Sequence, residues 1–213
     1  MSPKLNPERA LIFRITHIDN LKWILENGLH CASSLVKDPA FVSIGNPDLI
    51  NRRANRNLPP PHSGSLSDYV PFYFTPYSPM MLNIKTGYNG ITRRPNADIA
   101  VMVSSFHNLK NLGKHVVFSD RHAYLQAAKF SADPADLSRI DWTLLQNRDF
   151  KRDAEDPEKV ERYQAEALAF QHVPVSALLG IACYSDSIKT KVEQCATSLG
   201  ATIKVIAQPG WYF

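Results

Sequence analysis

The chain has 213 residues, 44% of them hydrophobic and 21% charged; that is enough to bury one core of ordinary size and too balanced for extended disorder. Its formal net charge of +4 admits an anionic partner without demanding one. Three widely spaced cysteines, Cys31, Cys183 and Cys195, form no CxxC pair, which argues against a disulfide framework or a zinc site and reads all three as reduced, buried and structural.

The first nine residues carry no apolar signal-peptide core, and no stretch approaches the roughly 18 apolar residues of a membrane span. The expectation is a cytoplasmic protein with no membrane partner. It forms one domain over residues 1–213, of which 1–9 are poorly ordered.

In chain order, residues 11–15 read as a strand with Arg14 inserted, and Asp19 as the N-cap of an amphipathic helix over 20–27 that Gly28 stops. Residues 14–17 (RITH) thus fall at a strand end, a common place for ligand-binding groups. Residues 43–61 differ in character. A short basic helix over 48–54 carries Arg52 and Arg53, Arg56 follows, and prolines 59–61 close a segment that reads as a solvated connector or a functional loop.

Residues 69–74 (YVPFYF) are a strong strand signal, with Pro71 implying an edge position or a bulge. Another apolar segment follows at 80–84, then strands at 99–103 and 116–118. Asp120 reads as the cap of a helix from about 122 to 130. A short helix or turn spans 138–145, and residues 153–159 are charged and exposed. Strands at 165–170, 177–184 and 203–206 complete the pattern, with an amphipathic helix over 187–199 stopped by Gly200. Irregular alternation with long connections favours α+β over a doubly wound sheet.

No Walker A loop, GxGxxG, HExxH or GxSxG is present. None of the seven histidines pairs with metal-ligand spacing, so no metal is expected. In the strand reading of 164–168, alternation puts Gln164, Glu166 and Leu168 on one face. A carboxylate beside a core strand needs a partner or a task. Taken singly, each polar residue here has an ordinary structural reading. Glu166 could face water, His122 could open a helix, and Arg52 and Arg53 could lie on a solvated face.

Taken in order, six blocks resemble one family: FRITHIDNLKWILENGL, VSIGNPDLINRR, GSLSDYVPFYFTPYSPMM, VVFSDRHA, DWTLLQNRDF and ERYQAEALAFQHVP, running from about residue 11 to about 174. The chain is similar to DarT-type DNA ADP-ribosyltransferase toxins. The resemblance implies the ADP-ribosyltransferase fold, two packed and strongly bent sheets with surrounding helices and a central NAD⁺ cleft. It also implies transfer of ADP-ribose from NAD⁺ to a base of single-stranded DNA. That base is thymidine in one branch of the family and guanosine in another, and a macrodomain antitoxin reverses the modification.

Carried over by position, Glu166 matches the catalytic glutamate, Arg52 or Arg53 the catalytic arginine, and His122 the histidine of an FTDGHA-like block. In that block this chain has Ser119 and Arg121 instead of Thr and Gly. The resemblance further implies cofactor contacts at Arg14, Thr16, His17, Asn20 and Tyr73. DNA contacts fall at Met80, Arg93, Arg94 and Arg148, with Lys85 nearby. Tyr77 stands where relatives often carry arginine.

The chemistry suits these residue types. Loss of nicotinamide from NAD⁺ leaves an oxocarbenium-like ribose, which a carboxylate stabilises. Arginine suits diphosphate oxygens or an acceptor base. A thymine ring nitrogen is hidden in a duplex, so the substrate is single-stranded or extruded. Two other readings stay open: an ADP-ribosyltransferase acting on RNA or protein, and a catalytically silent nucleic-acid-binding module.

Overall fold

The computed structural model describes residues 5–213. In chain order its elements are β1 (Leu11–His17), α1 (Leu21–Asn27), β2 (Leu29–His30), α2 (Pro47–Ala54), β3 (Tyr69–Tyr73), α3 (Pro79–Thr86), β4 (Ile99–Ser105), α4 (Phe106–Asn111) and β5 (Val116–Ser119). There follow β6 (Phe130–Ser131), α5 (Trp142–Asn147), α6 (Lys159–Arg162), β7 (Glu166–Phe170), β8 (His172–Val173), β9 (Gly180–Cys183), α7 (Asp186–Ser198) and β10 (Val205–Ala207). Eight strands form one sheet in the order β10-β9-β4-β1-β3-β7-β5-β6, and β2 pairs with β8 in a second, two-stranded ribbon. All pairs in the large sheet are antiparallel except β9–β10, joined through the crossover helix α7. The architecture is the expected α+β.

The sheet is nearly divided in two. β1 pairs with β4 along its whole length, Leu11↔Ser105 to His17↔Ile99. It meets β3 at a single position, Phe13↔Tyr73. The two bent sheets implied by sequence resemblance thus correspond to halves joined by one residue pair. Pro71 helps explain the gap. It lies in an interior strand, not at the edge that proline implies. Its carbonyl accepts a hydrogen bond from Arg14 Nη1 at 2.9 Å. N and O of one strand residue face the same neighbour, so its missing N–H falls on the β1 side, where no ladder forms.

β4, β5 and β7 are buried on both faces, hence their near-continuous apolar sequence. On one face of β7, Ala167 and Ala169 pack into the main core with Phe72, Val70, Phe118 and Val116. On the other, Leu168 packs with Val117, Tyr69, Ala123, Leu58 and Leu66. The segment 43–61 therefore does enter a core. Leu58 anchors it onto the same face of β7 that carries Glu166, while Ile44 is buried elsewhere.

Local expectations fail at two capping positions. A 3-10 turn, Ile18–Asn20, precedes α1; the Asp19 amide donates to His17 Nδ1, and Asn20 at the N-cap gives no side-chain cap. A neighbouring acceptor has outcompeted the helix end. Residues 122–129 form turns and not a helix. Asp120 Oδ1 accepts from Lys129 N (3.0 Å), and Asp120 N donates to Lys129 O (3.1 Å), closing the loop on itself. Residues 80–84, read only as apolar, lie within α3, started by Ser78 and Pro79.

Of the N-terminal stretch expected to be poorly ordered, residues 1–4 lie outside the described residues. Leu5 is buried, and its carbonyl accepts from Gln146 Nε2. Cys31 and Cys183 are buried, whereas Cys195 is partly exposed. Among the described residues no helix is long and apolar enough to cross a membrane.

Gly28 ends α1 at φ +81°, and a Cβ there would approach Val173 O at 2.6 Å. Gly28→Ala should therefore destabilise by more than about 1 kcal/mol, seen as a lowered Tm in thermal unfolding. An unchanged Tm would mean that the β2–β8 ribbon yields without cost.

Candidate active site

Glu166 begins β7 between two strand ends, paired laterally with Tyr73 of β3 and Ser119 of β5. Paired residues share a sheet face, so three polar side chains stand in a row beside the break in the sheet. Glu166 is only 2% exposed. Its carboxylate is held from two further segments. Arg53 Nη1, on α2, lies 3.0 Å from Oε2 and 3.2 Å from Oε1. The Ala123 amide, in the 121–129 loop, donates to Oε1 at 3.0 Å. This is the pairing a buried carboxylate requires.

Arg52 and Arg53, which sequence could not separate, diverge here. Arg53 turns inward with its side chain 12% exposed, while Arg52 is exposed and lines an outer recess. Arg53 Nη2 is buried with no partner among the described residues, a free donor beside the carboxylate.

His122 Nδ1 lies 3.3 Å from Glu166 Oε1 and 3.3 Å from the Tyr124 amide. Unprotonated, that nitrogen accepts from Tyr124; protonated, it donates to Glu166. Burial, the largest influence, lowers the His122 pKa from its ordinary value; Glu166 opposes this and Arg53 adds to it. Burial, then the Glu166 charge, raises the Tyr73 pKa, so its hydroxyl keeps its proton. Burial, then Arg53, pushes Arg14 down to about 10, still a cation at neutral pH.

The other β1 residues point to a supporting network. Asn20 Nδ2 donates to Thr16 Oγ1 (3.1 Å) and Val42 O (2.9 Å), and its Oδ1 accepts from Val42 N (2.8 Å). Its amide thus ties the 31–46 segment to β1. His17 Nε2 lies 3.3 Å from Arg94 Nη1, which links the cofactor candidates to the DNA candidates. Arg94 shares a basic recess of about 320 Å³ with Lys85, Arg93 and Pro95. Its Nε is buried without a partner. Met80 packs against the core at the start of α3. Arg148 stands apart from this recess, donating to Gly210 O and lying 4.6 Å over the Tyr77 ring. A cation thus reaches the position where relatives often carry arginine.

Sequence reasoning missed the Ala123 amide, which no side-chain pattern can reveal. It also missed Arg56, whose Nη1 donates to Gln126 Oε1 and whose Nη2 donates to Leu125 O, both at 3.1 Å. Arg121, the departure at the expected glycine, clamps the loop to Glu158 (3.0 Å) and Asp120 (3.4 Å). That acidic run was visible in sequence. Among the described residues no group of His, Cys, Asp or Glu is arranged to hold a metal ion.

Comparison with known proteins follows the same lines. The family profile "DarT: ssDNA thymidine ADP-ribosyltransferase, DarT" matches residues 13–213. A DNA ADP-ribosyl transferase from Escherichia coli O127:H6 is 50% identical, with 100% of this chain and 97% of the relative covered. One from Thermus sp. (strain 2.9) is 35% identical, with 97% and 98% covered. The structure of Thermus sp. 2.9 DarT in complex with ADP-ribosylated ssDNA superposes with TM-score 0.89 at 32% identity, covering 100% of both chains. Its complex with NAD⁺ superposes with TM-score 0.80 at 32% identity, covering 97% and 99%.

The lowered His122 pKa has a stability consequence. Below its ordinary value of 6.5 the unfolded chain binds the proton more tightly than the folded one. The His122 contribution is therefore present above pH 6.5 and lost as pH falls through the folded value. Tm measured against pH should fall more steeply on the acid side for the wild type than for His122→Gln. Parallel curves would remove His122 as a source of acid lability.

Proposed function

The chain belongs to the DarT family of single-stranded-DNA thymidine ADP-ribosyltransferases, and from that premise we propose how its residues divide the work. It is an enzyme that transfers ADP-ribose from NAD⁺ to a base of single-stranded DNA, releasing nicotinamide. The observation that supports the assignment of roles is the buried contact of Glu166 with Arg53 and the Ala123 amide.

NAD⁺ supplies a ribose whose bond to a cationic ring breaks with departure of a neutral leaving group. Glu166 sets its carboxylate beside that ribose, holds the 2′-hydroxyl and stabilises developing positive charge. Arg53, fixed through Nη1, retains Nη2 as a buried donor with no protein partner, and this orphan fits an oxygen of the co-substrate or of the acceptor base. The ring proton of the base passes to the Glu166 carboxylate, which Arg53 and His122 flank. Tyr73, protonated by virtue of its burial, donates next to Glu166.

Arg14, Thr16 and His17 line the cofactor side along β1. Asn20 serves them by holding the 31–46 segment. Arg93, Arg94 and Lys85 offer the basic groove that a single strand follows, with Met80 beside it and Arg148 as a further contact. The protein acts as a toxin in the cytoplasm, where both substrates occur, and a macrodomain antitoxin removes its product.

Incubating the purified protein with NAD⁺ and a pool of single-stranded oligonucleotides, read by mass spectrometry, tests this scheme. One ADP-ribose should add to DNA and none to duplex. Glu166→Gln should lower transfer on the order of 10³-fold or more; retained transfer would remove Glu166 from its role. Arg53→Ala should be severely impaired and Arg52→Ala only mildly. Equal mild effects would overturn the assignment of Arg53, and a gain on RNA or protein but not on DNA would replace the acceptor.

A further inference from the structure

A second recess, of about 450 Å³, opens between α2 and the 121–129 loop, lined by Arg52, Asn55, Arg56, Tyr124, Leu125 and Gln126. We propose that it is a subsite for the nucleotide next to the acceptor base in the DNA strand. This rests on the transferase reading above and adds a determinant of which strands are used.

The recess adjoins the reacting groups through the chain itself. Arg52 neighbours Arg53, and Tyr124 neighbours Ala123; Arg53 and Ala123 both bond the Glu166 carboxylate. A ligand seated there therefore lies one residue from the groups that hold Glu166. The walls are fixed by Arg56, which bridges to Leu125 O and Gln126 Oε1. Its Nε is buried and has no partner. Arg52 is exposed and makes no side-chain hydrogen bond or ion pair among the described residues.

The lining is chemically specific. It holds two guanidinium groups and no carboxylate, a setting for a phosphodiester. Tyr124 supplies a ring on which a base can stack. Asn55 and Gln126 supply amides that can meet a base edge. Together these are the three requirements of one nucleotide.

A diphosphate of NAD⁺ would share part of this chemistry, but the topology favours DNA. The 121–129 loop joins β5 to β6, at the far edge of the sheet from β1. β1, which carries Arg14, Thr16 and His17, lies across β3 on the other side of Glu166. Co-substrate groups and recess thus flank Glu166 from opposite sides. A strand that follows the groove of Lys85, Arg93 and Arg94 beside His17 and sets its acceptor base at Glu166 continues past it towards the recess.

The test is steady-state kinetics of the full chain, varying an oligonucleotide modified by the wild type and NAD⁺ in turn. In Tyr124→Ala the KM for DNA should rise about tenfold with the KM for NAD⁺ unchanged, and Tyr124→Phe should restore it. Arg52→Gln, an exposed change that leaves packing intact, should raise the KM for DNA and reduce the slope of its logarithm against log salt by about 0.7, one phosphate contact on a single strand. A rise in the KM for NAD⁺ alone would move the recess to the co-substrate side and overturn the proposal. Wild-type kinetics in both Arg52→Gln and Tyr124→Ala, while the wild type transfers normally, would overturn the subsite and leave the transferase reading intact. No transfer to any DNA by the wild type would overturn both.

Discussion

A carboxylate almost wholly removed from water governs this structure. Glu166 sits at the start of a strand whose other residues are core, and its burial is tolerable only because Arg53 and the Ala123 amide reach it. Breaking such a pair by removing one member costs about 3–5 kcal/mol. The helix α2 and the 121–129 loop are therefore constrained to meet over the end of β7. Much of the apparent irregularity serves that meeting: Leu58 and Leu66 seat the segment around α2, Arg56 ties it to the loop, and Arg121 ties the loop to α6.

The break in the large sheet supplies the space. Had β1 and β3 paired along their length, Arg14 would have no carbonyl of β3 left to approach. A single pair, Phe13↔Tyr73, keeps the halves in register. Pro71 withholds a donor from the ladder, and Arg14 occupies the gap. One half carries the β1 residues and the other carries Tyr73, Ser119 and Glu166.

Legibility in the sequence followed the range of the interaction involved. The central strands announce themselves because burial on two faces leaves only apolar residues, and α7 shows its amphipathic run and its Gly200 stop, though not its Ser185 cap. Glu166 stood out by alternation, a local property. The choice between Arg52 and Arg53 did not, since both lie on one short helix and only a partner 113 residues away separates them. The 121–129 loop misled for a related reason. Asp120 has the look of a helix cap, yet its carboxylate closes on Lys129, a pairing that no local propensity encodes. Asn20, expected as a ligand contact, is also bonded to Val42, a partner that no local pattern gives.

The 113-residue separation of Arg53 and Glu166 also bears on synthesis. As the ribosome extends the chain, α2 and β1 emerge long before β7. Even after Glu166 emerges, Trp211 has yet to pack edge-on against Phe13 of β1, and the Phe213 carbonyl has yet to accept from Asn96. A product cut short of Glu166 lacks the carboxylate, and one cut short of Trp211 lacks the edge-on contact with β1. The carboxylate is thus the late component: a chain that stops before Glu166 holds Arg53 and the Ala123 amide with nothing for them to grip.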